Sequence, residues 1–159
     1  MPDQRQRAHE FFAQAYDAQM QGELRHAVEL YTQSINLFPT AEAYTFRGWA
    51  YSFLGNYVQA IQECLRAIEL DPDFGNPYND IGAYLIEQGR LDEAVPWLET
   101  ATSASRYESP FFPLFNLGRI YERKRQLDKA QQQYQRALEH NAHYVPAQRA
   151  LQRIRAQWN

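Results

Sequence analysis

Residues 41–72 read AEAYTFRGWAYSFLGNYVQAIQECLRAIELDP, and two helical faces alternate in them around one glycine. Tyr44, Gly48 and Tyr51 fall at i, i+4 and i+7. After Gly55, Ala60, Cys64 and Ala67 repeat that spacing before Pro72 ends the unit. Positions so spaced share one side of a helix. Tyrosines fill space between helices, whereas Gly48, Ala60 and Ala67 suit places where helix axes approach closely and a large side chain would hold them apart. The unit reads as a tight helical hairpin.

The same template recurs three more times. Upstream it takes Phe11, Ala15, Ala18, Gly22, Ala27, Tyr31, Ser34 and Pro39. Downstream it takes Tyr78, Gly82, Leu85, Gly89, Ala94, Leu98 and Ala101, then Leu114, Gly118, Tyr121, Ala130, Tyr134 and Ala137. The markers Ala27, Ala60, Ala94 and Ala130 are 33, 34 and 36 residues apart, a period that signals a repeat architecture. On these residues the chain resembles the tetratricopeptide repeat (TPR) family over residues 8–144. The resemblance implies an all-α fold, a right-handed α-solenoid of four TPR hairpins (about 8–40, 41–74, 75–110 and 111–144), in a single domain spanning 1–159. The segment 145–158 matches a first helix only loosely and is rich in Gln and Arg, so a capping helix is expected there, with Trp158 packed back on repeat four.

Composition agrees with one such domain: 159 residues with 45% hydrophobic content build a sizeable core, shared between neighbouring hairpins. No apolar run approaches a membrane span and the first residues are polar, so no membrane insertion and a cytoplasmic location are expected. The single Cys64 sits on a packing position and reads as a small core hydrophobe. Charge is uneven. Residues 1–104 hold 6 Lys+Arg against 15 Asp+Glu, residues 105–159 hold 10 against 4, and the whole chain is at −3. That polarity suits a monomer or a weak charge-driven head-to-tail oligomer.

Local signals fix several boundaries. Pro2 and Asp3 suit the start of a first helix running to about Met20, and Phe38-Pro39 stops the second. Pro96, one turn into its helix, predicts tolerance or a slight bend. The connection from Ala101 to Leu114 is longer than its counterpart from Ala67 to Tyr78, so residues 103–109 are expected to lengthen a helix or project as a loop. Either Pro110 or Pro113 could open the following helix. Repeat four carries Arg125 where the others have glycine, which leaves its turn open to a different form.

Catalytic templates fail: the chain has no glycine-rich phosphate loop, no zinc-type Cys/His cluster, and no Ser or Cys placed with His in a motif of known geometry. His140 and His143 read as helix-end groups rather than metal ligands. No enzyme activity, no cofactor, no metal and no nucleic-acid partner are expected.

In the TPR family the first helices of the hairpins line a concave groove. Carrying its groove positions onto this chain gives a candidate peptide-binding set of Phe12, Tyr16, Trp49, Phe53, Asn79, Phe112, Phe115, Arg119 and Arg123. Exposed aromatic clusters usually mark binding surfaces. Family members that clamp acidic chaperone tails place Lys, Asn and Arg at set positions. Here those positions hold Phe12, Tyr16, Phe46, Asn76 and Asp80 in one register, and Thr45, Trp49, Asp80, Phe112 and Asn116 in the next. Neither register supplies the cations. The expected function is therefore a protein-interaction adaptor holding an apolar or amphipathic peptide or helix, with Arg119 and Arg123 meeting acidic residues at one end. A small TPR chaperone for a secreted or assembly client and a self-associating structural module are the alternatives.

Overall fold

The computed structural model describes residues 1–158. Nine α-helices occur among them: α1 (Gln4–Met20), α2 (Leu24–Leu37), α3 (Ala41–Phe53), α4 (Tyr57–Leu70), α5 (Asn76–Glu87), α6 (Leu91–Ser103), α7 (Phe111–Arg123), α8 (Leu127–His140) and α9 (Val145–Trp158). They form an all-α solenoid of TPR hairpins. Each odd-numbered helix from α1 to α7 pairs with the helix that follows, and α1, α3, α5 and α7 also touch in sequence, which stacks the first helices into one layer.

Starts and stops follow side-chain chemistry. Asp3 accepts from the Gln6 amide at 2.7 Å, Thr40 from Ala43 at 3.1 Å and Asn56 from Gln59 at 3.1 Å, each satisfying an amide that lacks a partner within its own helix. Pro96 leaves α6 continuous. Pro110 stands at the cap position of α7, and Pro113 lies buried inside its first turn. The spacing markers Ala27, Ala60, Ala94 and Ala130 are all fully buried, as is Cys64. Burial, with the charges of Asp80 and Glu63 adding to it, pushes the Cys64 thiol well above its usual range, so it is a core group and not a poised nucleophile. Gly48 lies against α4 so tightly that a Cβ there would stand 3.0 Å from the Ala60 carbonyl oxygen.

Three sequence expectations are corrected. The turn of repeat four keeps the form of the others: Arg125 adopts φ 62°, beside 81°, 80° and 76° at Gly22, Gly55 and Gly89. The backbone geometry demanded by the hairpin overrides the preference of the side chain, at a cost of roughly 1–2 kcal/mol. Residues 104–110 neither extend α6 nor project. They fold back on the α4–α5 turn, where Arg106 exchanges backbone hydrogen bonds with Asp73 and Gly75, both 3.0 Å. Trp158 does not pack on repeat four and is 49% exposed, because the buried stripe of α9 ends at Ile154.

That stripe, Ala147, Ala150, Leu151 and Ile154, closes the last apolar surface of α7 and α8. The opposite side of α9 presents Arg149, Gln152 and Arg155 to solvent.

Candidate functional site: an aromatic cleft on the inner layer

The inner layer holds a cleft of about 440 Å³ between α1, α3, α5 and the folded-back connection. Tyr16, Thr45, Phe46, Trp49, Asn76, Asn79, Asp80, Tyr107 and Phe112 line it. Its rings come from different levels of the solenoid yet form one chain of edge contacts. Phe12 meets Phe46 at 5.3 Å, Tyr16 meets Phe46 at 5.9 Å, Phe46 meets Trp49 at 5.8 Å, and Trp49 meets Phe53 at 5.3 Å. Edge-to-face packing at these distances locks the rings without hiding them. Tyr16 stays 40% exposed, Phe53 60% and Phe112 40%, while Trp49 is half-buried.

The folded-back connection completes the cleft. Arg106 anchors it: its guanidinium stacks on Phe74 at 4.1 Å and donates to Asp71 (2.6 and 2.9 Å) and to Glu42 (2.9 Å). The Arg106 partner holds the Asp71 carboxyl below the usual carboxylate range. The next residue, Tyr107, lies over Gly75, where a Cβ would stand 2.3 Å from its ring. No larger residue fits there without displacing the tyrosine. Tyr107 reaches the cleft from this position and faces Asp80.

The sequence-derived set divides into three groups. Tyr16, Trp49, Asn79 and Phe112 line the cleft together. Phe12 packs half-buried behind Phe46 and against Tyr31 at 5.6 Å, and Phe53 extends the surface beyond Trp49. The others serve repeat four. Phe115 packs against Tyr134 at 5.5 Å and Tyr144 at 5.3 Å, so the terminal core takes it.

Arg119 and Arg123 border a separate polar concavity with Glu122, Arg125, Tyr134 and Arg153. Arg119 is engaged, donating to Asn116 at 3.0 Å and Glu87 at 3.3 Å; Arg123 reaches only the Ile86 carbonyl, at 3.4 Å. Asn116 in turn donates to Asn79 at 3.0 Å, so Asn79 is mainly a strut between α5 and α7 and is 8% exposed.

Sequence reasoning left five lining residues out of the set: Thr45, Phe46, Asn76, Asp80 and Tyr107. Thr45, Phe46, Asn76 and Asp80 occupy clamp positions at which the family places Lys, Asn or Arg, and their own chemistry is different. Tyr107 lies on the long connection, whose excess length was the one signal available. Among the described residues no group of three or more His, Cys, Asp or Glu is placed to hold a metal ion, and no helix is long and apolar enough to cross a membrane.

Known proteins share this architecture. Models of the tetratricopeptide repeat match residues 41–74 and 73–141. The protein SGT1 homolog of Oryza sativa subsp. japonica is 41% identical over 86 residues, which cover 54% of this chain and 23% of that one. This chain therefore spans about a quarter of that curated relative.

The type IV pilus biogenesis factor PilW superposes with a TM-score of 0.85 at 20% identity, covering 94% of this chain and 69% of that one. YrrB, a TPR protein with an unusual peptide-binding site, gives 0.71 at 18% identity, covering 90% and 73%. Identities this low speak to fold alone. Repeat spacing, stacked hairpins and matching family models agree: the chain belongs to the tetratricopeptide repeat family.

Proposed function

We propose that this protein is a non-enzymatic interaction adaptor that holds an apolar or amphipathic segment of a partner protein in the cleft between α1, α3 and α5. One observation carries the reading. Tyr16, Trp49 and Phe112 remain accessible in one cleft after the repeat core has been filled, with Phe53 exposed beside Trp49. Aromatic anchors in a preformed hollow are the groups that dominate binding energy, and their locked rings lose little freedom on association. The concave surface of a repeat solenoid suits extended partners.

Selection of a phage-displayed random peptide library on the intact protein tests this, with the Trp49→Ala/Phe53→Ala double variant as counter-selector. The expected outcome is a family of peptides rich in apolar residues whose affinity falls by roughly thirtyfold or more on the double variant. Peptides that bind both proteins equally would place recognition elsewhere.

A further inference from the structure

The cleft contains one carboxylate that no basic side chain among the described residues neutralises. Asp80 lies on its wall beside Asn76, Asn79 and Tyr107, and among the described residues it forms no ion pair. Glu42, Glu87 and Glu122 on the same layer are engaged, with Arg106, Arg119 and Arg153, whereas Glu10 and Asp17 of α1 are unpaired among the described residues but lie exposed outside the cleft. Asp80 is partly exposed along the cleft and has protein on its other sides. Two rings line the same cleft, Trp49 on α3 and Tyr107 on the connection, the latter close enough to Asp80 to feel its charge. A carboxylate flanked by π faces is complementary to a cation on a long apolar stem, which gains from the charge, from the ring quadrupoles and from burial of its methylenes.

We propose that the cleft recognises a Lys or Arg side chain flanked by apolar residues in the partner segment, with Asp80 as the acceptor of its charge. This rests on the adaptor reading above and names the chemistry of its ligand. It also accounts for the absence of clamp cations: the position that would hold one in an acid-binding relative carries the opposite charge here.

Titration provides an independent handle. Burial raises the Asp80 carboxyl to about 7, against a contact with the Asn79 amide that works in the other direction. The groups facing it are Cys64 on α4, Tyr84 on α5 and Tyr107 on the connection, with Tyr16 across the cleft on α1. Burial raises the values of Cys64, Tyr84 and Tyr107, which keeps those three neutral near pH 7, and Glu63 behind Cys64 is paired with Arg47. Asp80 therefore sets the charge of this part of the cleft.

The test uses the peptides selected on the intact protein, resynthesised with each Lys or Arg replaced by Gln. One replacement should cost about tenfold or more in affinity on the wild type and little on Asp80→Asn, a shape-preserving variant. Wild-type affinity should also fall as pH drops below about 7, while Asp80→Asn stays flat. Selected peptides that depend on Trp49 and Phe53 but show no cation preference would overturn this inference and leave the adaptor reading standing. If no peptide depends on Trp49 and Phe53, both fall. A cation preference that survives in Asp80→Asn would assign the charge recognition to another residue.

Discussion

The two ends of the inner layer were built from similar residues and put them to different uses. In repeat one Tyr31 donates to Gln19 at 2.8 Å; in repeat four Tyr134 donates to Glu122 at 2.8 Å from the same relative position. The neutral pair stops there. The acidic one recruits Arg153 of α9 through two bonds of 2.7 Å, fastening α9 to α7. The rings divide likewise. Around repeat four Phe111, Phe115 and Tyr144 pack on one another and on the underside of α9, whereas Tyr16, Trp49 and Phe53 have no such cover. An aromatic at a groove position stays accessible only where no later element claims it.

The largest expected effect that tests this contrast is on stability. Phe115→Ala should destabilise the fold by about 3 kcal/mol, since truncating a packed Phe leaves a cavity in the terminal core. Phe53→Ala, at a ring 60% exposed, should change stability by under about 0.5 kcal/mol. Chemical denaturation of both variants compares them. Similar losses would erase the distinction between the two ends.

Gly75→Ala addresses the connection that closes the cleft. The new methyl cannot coexist with the Tyr107 ring, so about 1–3 kcal/mol of overpacking should appear, together with faster hydrogen exchange at Arg106 and Gly75. Unchanged exchange there would show that the connection does not depend on this contact.

Acid should loosen the C-terminal end through Glu122. Its Arg153 partner holds its carboxyl below the ordinary value of 4.5, with the Tyr134 hydroxyl assisting against burial. A lowered folded value means that the stabilisation is fully present above the ordinary value and disappears as pH falls through the folded one. Arg153 is half-exposed, so the pair is worth only about 1 kcal/mol. Hydrogen exchange of α9 should accelerate with acid in the wild type and show much less pH dependence in Arg153→Gln.

The smallest effect belongs to the turn of repeat four. Arg125→Gly should raise stability by up to about 1 kcal/mol, because glycine adopts φ 62° without a Cβ clash, although it loses more backbone freedom on folding. A thermal melt that moves the other way would mean that the arginine side chain contributes something beyond the turn.

The repeat was legible because its grammar is local. Ala27, Ala60, Ala94 and Ala130 each sit where two helices meet, and each is fully buried, so spacing alone located the hairpins. What escaped the sequence was set by contacts between distant segments. Arg106 reaches Asp71 and Glu42, 35 and 64 residues earlier, and no periodicity encodes that fold-back. The fate of Phe115 depended on Tyr144 in the turn before α9. Asp80 stood in plain view at a clamp position, yet the role proposed for it rests on its forming no ion pair among the described residues, which only the packed chain reveals.

The most direct test of the account is the affinity of one library-selected peptide, measured by calorimetry, for the wild type, for Trp49→Ala/Phe53→Ala and for Phe115→Ala. Binding should weaken by roughly thirtyfold or more in the double variant while persisting within about threefold in folded Phe115→Ala. Retention by the double variant together with loss in Phe115→Ala would contradict the assignment of the exposed rings to partner recognition.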